Sequence, residues 1–193
     1  MLELWGAFCL GAYLLGPYFR EYPQAGEPAG PAAVPTRPAA RRTSTGDIKA
    51  GLRCLWYLAR HKAYVCYYGL RLGVPLWRLV KHDWTKFTPG EFWPYARYYH
   101  GDPATRADPA VGAAYAAALA LHHSRNDHHP EYWADPATGV VSMPSVAIRE
   151  MVADWYGAGA AKGQTDVRGW YEANRSRFDF SVYTRAWVED LLC

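Results

Sequence analysis

All seven histidines of the 193-residue chain fall between His61 and His129. Random placement confines seven residues to so narrow a window in roughly one chain in a hundred, so the clustering needs a cause. Histidine is the commonest protein metal ligand and also shuttles protons, which makes a site the first cause to look for. The adjacent pair His82-Asp83 offers an imidazole and a carboxylate to one divalent cation, and both types ligate Zn, Fe or Mn. Lys86 lies three residues beyond Asp83, one helical turn on. An ammonium there can hold an anionic substrate or offset a developing negative charge. Three other places supply partners. His61 stands amid the apolar positions of Ala59-Arg60-His61-Lys62-Ala63, and Asp154 shares an inward stripe with Ala147 and Met151. The pairs His122-His123 and His128-His129 flank Ser124-Arg125-Asn126-Asp127. A carboxylate between Met151 and Trp155 on an amphipathic helix needs a partner, because burying an unpaired charge is costly.

Each residue also has a plainer reading. His82-Asp83 can be a buried hydrogen-bonded pair, His61 a satisfied core histidine, and Asp154 the partner of Lys86 or Arg149 in a structural bridge. The four later histidines can be a polar helix end, where the dipole favours them. Glu150 reads either as a partner standing behind a ligand or as a surface charge.

The elements that must position these residues read as helices. Thr45 caps a first helix opening at Gly46-Asp47, along which Leu52, Leu55, Trp56, Ala59, Ala63, Cys66, Tyr67 and Leu70 recur at helical spacing. Gly73-Val74-Pro75 breaks it, and a second helix runs from Pro75 to about Phe87, carrying His82-Asp83. Thr88-Pro89-Gly90-Glu91 reads as a capping box that opens a short aromatic helix to about Tyr99. Asp108-Pro109 starts an alanine-rich helix to His123, whose small side chains allow close approach by its neighbours. After a loop from Ser124 to Met143, a helix from about Pro144 to Tyr156 ends at Gly157-Ala158-Gly159. Further segments lie near 166–174 and 182–192. No run alternates with period two, so the expected fold is all-α with six or seven helices.

Composition narrows the function classes. The chain is 50% hydrophobic and 20% charged, which excludes wholesale disorder and a polytopic membrane protein. A net charge of +3 is too small to argue for a nucleic-acid partner, and none is expected. Four cysteines without C-x-x-C spacing argue against structural zinc and redox motifs. H-E-x-x-H and G-x-S-x-G are absent, and Lys162 precedes Gly163 where a phosphate loop has its lysine after a glycine. Residues 1–19 read as a hydrophobic anchor or targeting segment. Association with a membrane through residues 2–19 is therefore expected, with a docked helix as the plain alternative. Residues 20–45, with five prolines, read as a Pro/Ala-rich linker, which leaves residues 46–193 as the helical domain.

The order His61 … His82-Asp83 … Asp154 on separate helices resembles the HD-domain superfamily of metal-dependent phosphohydrolases. The strings H-D-W-T-K-F-T-P-G-E-F, H-H-S-R-N-D-H-H-P-E-Y-W and E-M-V-A-D-W are also similar to those of a small HD-like family without an assigned activity. The resemblance covers about residues 48–170. It implies an all-helical domain in which His61, His82, Asp83 and Asp154 hold a divalent metal ion (Zn, Mn, Fe or Mg). Some members hold two ions through two extra histidines. His122 or His123, with His128 or His129, stand where those would be, and Asp83 would then bridge the ions. The extra histidines of the family sit on helices, whereas His128-His129-Pro130 reads as loop. The resemblance implies hydrolysis of a phosphate ester, a nucleotide being one candidate, with Asp83 and Lys86 in the catalytic machinery. Two other readings stand beside it: an inactive accessory subunit of a membrane-bound complex with protein partners, and a di-iron oxygenase.

Overall fold

The computed structural model describes residues 44–193; the hydrophobic segment 1–19 and the linker up to residue 43 lie outside the described residues. Within them the chain forms eight α-helices and three short 3-10 turns. The only strand-like pairing among them is two isolated bridges, which tie Val141 to Ala134 and to Phe180. The all-α expectation holds, with more helices than the six or seven expected.

Helix α1 (Thr45–Arg71) is the longest. Ser44, not Thr45, caps it: the Ser44 hydroxyl accepts from the Asp47 amide at 3.1 Å, and the Asp47 carboxylate accepts from the Ser44 amide at 2.8 Å. Asp47 also pairs with Arg97 at 2.7 Å, which ties the start of α1 to α3. The buried stripe Cys54, Leu58, His61, Val65 and Gly69 recurs every three or four residues and turns one face of α1 inward. That stripe packs against α6 (Ser145–Ala161) and α3 (Pro89–His100).

Helix α2 (Leu76–Lys81) is shorter than expected and stops before His82, so His82-Asp83 is not helical. Asp83 adopts the left-handed conformation, with φ at 57° and ψ at 15°, and a 3-10 turn (Trp84–Phe87) follows. Aspartate is one of the few residues that enter this region at low cost. The Lys62 ammonium, reaching over from α1, donates to the carbonyls of Leu79 (3.3 Å), Val80 (2.8 Å) and His82 (2.7 Å). It thereby satisfies acceptors that the helix end leaves open.

After α3 come a one-turn α4 (Pro103–Ala107), absent from the expected series, and then α5 (Pro109–Arg125). A 3-10 turn (Pro130–Trp133) interrupts the expected loop. Helix α6 does not end at Gly157 but continues to Ala161. Gly157 is a contact point: a Cβ there would collide with the side chain and backbone of Val65, so glycine lets α1 and α6 meet at their backbones. Helices α7 (Val167–Asn174) and α8 (Val182–Leu191), joined through a 3-10 turn (Arg175–Arg177), close over α6 around Tyr171, Val188, Ile148 and Met151.

The 6 Phe, 9 Trp and 15 Tyr of the chain do not all go to the core. Tyr171 is fully buried, but Trp56, Trp77 and Trp84 are more than half exposed. Among the described residues no helix is long and apolar enough to cross a membrane. The expectation of a membrane-associated protein is withdrawn on that finding; residues 2–19, on which it rested, lie outside the described residues.

Candidate metal centre

Three distant stretches of chain deliver the first group of side chains. His61 comes from the inward stripe of α1, Asp154 from the facing stripe of α6, and His82 and Asp83 from the break after α2. His61 Nε2 lies 3.1 Å from both Asp83 Oδ2 and Asp154 Oδ1. His82 Nε2 lies 3.6 and 3.5 Å from the same two oxygens. One donor atom from each of the four residues falls within 4.8 Å of every other. Ligands about 2.1 Å from an ion stand roughly 3–4 Å apart, so this set needs little adjustment to surround one.

A second group uses the other oxygen of Asp83. His122, near the end of α5, places Nε2 3.1 Å from Asp83 Oδ1, and His128 places Nε2 3.6 Å from it. His129 completes this set within the same 4.8 Å limit. His128 and His129 precede the 3-10 turn, as loop residues, yet still turn inward, with rings 4.2 Å apart. Asp83 thus faces one histidine set with each oxygen.

What the imidazoles leave unpaired matters as much as what they touch. The Nε2 atoms of His82, His122, His128 and His129 and Oδ1 of Asp83 are buried without a hydrogen-bond partner. Buried polar atoms are normally paired, and an unpaired one is costly. Three of those rings have a carboxylate behind them instead, at hydrogen-bond distance for His82 and His122. Glu150 Oε1 stands 3.0 Å from His82 Nδ1 and 3.6 Å from His128 Nδ1, and Glu91 Oε2 stands 2.7 Å from His122 Nδ1. A carboxylate accepting from Nδ1–H leaves Nε2 as the nitrogen that faces the metal once the ring is neutral, which is how ligand histidines are oriented toward a metal. The donor set therefore fits a divalent cation in each half.

The local charges are consistent with a site awaiting cations. Burial works to raise Asp83, but Lys86, His82, His122 and His128 hold its carboxyl well below the usual range. Burial likewise works against ionised Asp154, and the neighbouring His61 and His82 imidazoles outweigh that. Burial disfavours charge on His82, yet Asp83, Asp154 and Glu150 together push its pKa up to about 10. His128 is pushed down, by burial and then by the charge on His82, and His129 further, by burial and then by His128.

Several roles differ from expectation. The Lys86 ammonium sits 2.7 Å from Asp83 Oδ2, where it offsets the charge of that carboxylate. Asp154 pairs with His61 and His82, while Arg149 lies over the Trp187 ring. His123 does not join the buried group; its Nδ1 lies 3.5 Å from Glu131 Oε1 near the surface. The Thr88 capping box is absent: Thr88 Oγ1 donates to the Thr85 carbonyl, and Glu91 is fully buried against His122 and Thr85. Asn126 Nδ2 donates to Thr85 Oγ1 at 2.9 Å and to the His122 carbonyl at 2.8 Å, steadying the same ring.

Arg78, which sequence reasoning missed, bonds Glu150 at 2.5 Å and Asp127 at 2.6 Å. Spacing held a signal for it, since Arg78 and His82 stand four apart, as do Glu150 and Asp154. Nothing comparable marked Glu91.

Residues 52–193 match the DUF5662 family, described as a family of unknown function. No curated protein and no solved structure matches the chain.

Proposed function

The chain belongs to the DUF5662 family, and we propose that it is an HD-domain-like hydrolase of phosphate esters that works with two divalent ions bridged by Asp83. The observation that carries this reading is the division of Asp83: Oδ2 faces His61 and His82, Oδ1 faces His122 and His128, and the bare Nε2 atoms gather about it. His61, His82, Asp83 and Asp154 would hold one ion, and Asp83, His122, His128 and His129 the other. When bound, such ions acidify a water and polarise a phosphoryl oxygen.

The rest is the work of the chain's own residues. Glu150 and Glu91 orient the rings, Arg78 offsets the charge of Glu150, and Lys86 offsets that of Asp83. Asp154 and Lys86 are 14% and 15% exposed against 3% or less for His61, His82, Asp83 and His122, so water reaches the site from their side. An imidazole-rich donor set suits zinc or iron better than magnesium, which prefers oxygen ligands.

That same preference favours iron enough to keep a second reading, a di-iron oxygenase. The inactive accessory subunit has less support, because both ligand sets are complete. The test is to load purified protein with zinc, manganese or iron in turn and to assay a panel of phosphomonoesters and nucleotides beside Asp83→Asn. Turnover in the wild type alone supports hydrolysis. Two bound ions without turnover would overturn it, and oxygen-dependent absorbance changes of the iron form would then favour the oxygenase.

A further inference from the structure

We propose that His123, His129 and Glu131 form a third divalent-cation site, at the outer edge of the buried centre and sharing His129 with it. The proposal goes beyond the two-ion reading and rests on it only for what lies beneath. One donor atom from each of the three residues lies within 4.8 Å of the others, and His123 Nδ1 is 3.5 Å from Glu131 Oε1. The His123 and His129 rings are 4.6 Å apart and tilted by 32°.

The local chain explains the grouping. His122 and His123 are neighbours on α5, so when His122 turns inward His123 must point elsewhere. The 3-10 turn that opens at Pro130 then folds Glu131 back toward the end of α5.

The surroundings of His129 add to the grouping. His129 is partly buried, its Nε2 is buried without a hydrogen-bond partner, and its ring lies 4.8 Å from His122 and 4.2 Å from His128 as well as beside His123. To serve the buried ion and the outer one together, the ring would bind one through each nitrogen as an imidazolate, with its N–H proton released to solvent. Exposure is graded along the group: Glu131 is 56% exposed, His123 20%, and His122 only 1%. The trio is thus the outermost tier of donors leading to ligands that solvent hardly touches. Two imidazoles and one carboxylate suit Zn(II), Co(II) or Fe(II), and three protein ligands leave positions for water. Such an ion is held more weakly than the buried pair and exchanges with solvent.

The probe is Co(II) alone, titrated into the full chain and followed by calorimetry and visible absorption. The wild type should take up about three equivalents, the last weakest, and the double variant His123→Gln, Glu131→Gln about two. Both substituted residues are at least partly exposed, so the melting temperature should hardly change. The same titration of Asp83→Asn reads the outer site with the buried pair disabled. It should show about one weak equivalent, which vanishes when His123→Gln and Glu131→Gln are added. The proposal is overturned if the outer substitutions leave the count unchanged in both backgrounds. Failure of the two-ion reading looks different: the tight equivalents are then missing from the wild type, whatever happens at His123 and Glu131.

Discussion

Replacing Asp83 with asparagine separates a shared carboxylate from an ordinary ligand. Asparagine tolerates the left-handed backbone that Asp83 adopts at φ 57°, so Asp83→Asn changes charge with little backbone strain, which alanine would add. Two costs follow. The Lys86 ammonium, 15% exposed and 2.7 Å from Oδ2, loses its nearest carboxylate, and breaking a buried pair costs about 3–5 kcal/mol. Asp154 remains nearby and softens this toward the lower figure.

The second cost falls on the metal. Losing a residue that merely orients a ligand weakens binding about 10–100-fold, so losing an anionic ligand costs at least about 100-fold for each ion, or about 3 kcal/mol. With two ions the sum is about 6 kcal/mol, and for a domain of this size the stabilisation conferred by metal should fall by about 10–20 °C in melting temperature. The assay is elemental analysis after exhaustive dialysis, beside melting curves with and without zinc. Wild type should retain about two ions, Asp83→Asn almost none, and Asp154→Asn or His122→Gln about one each, since each of these touches a single half. If Asp83→Asn keeps one ion, as Asp154→Asn does, the carboxylate does not bridge. If it keeps two, it is no ligand.

Three other outcomes are expected. Glu150→Gln leaves every ligand in place but removes the carboxylate acceptor behind His82 and the charge beside His128, so zinc affinity by competition with a chelator should fall about 10–100-fold. His82, raised to about 10 without metal, must give up its proton to ligate, so affinity measured by calorimetry should rise about tenfold per pH unit from 6 to 8, with about one proton released. The sign in the metal-free chain is opposite: a raised folded pKa adds stability that is full below the unfolded value of 6.5 and is lost as pH climbs through 10, which urea titrations at several pH values would detect. Lys62→Met strips the donor from three carbonyls at the end of α2 and should cost about 2 kcal/mol in urea unfolding, with weaker metal retention because the His82 backbone is no longer held.

How much of this was legible in the sequence depends on how far each interaction reaches. The four residues of the first half were readable because each carries a local mark: a histidine in an apolar stripe, an acid between Met151 and Trp155, an adjacent imidazole and carboxylate. The end of α2 was not, because Leu79-Val80-Lys81-His82-Asp83-Trp84 contains neither glycine nor proline. What ends it is Lys62, some twenty residues earlier, which takes the open carbonyls. Glu91 was hidden for the converse reason. Thr88-Pro89-Gly90-Glu91 satisfies a local capping rule, and no local rule tells whether the carboxylate turns back to its own helix or reaches His122, 31 residues on.

Gly157 was read as a stop because glycine ends helices in isolation, whereas here it removes the side chain that would hold α6 away from Val65. That close approach and the candidate metal centre are linked, since α1 bears both Val65 and His61 one turn apart, and α6 bears both Gly157 and Asp154. Val65 seated on Gly157 brings His61 Nε2 to 3.1 Å from Asp154. Gly157, a helix terminator by its local signal, thus sets the spacing of the first candidate ligand set.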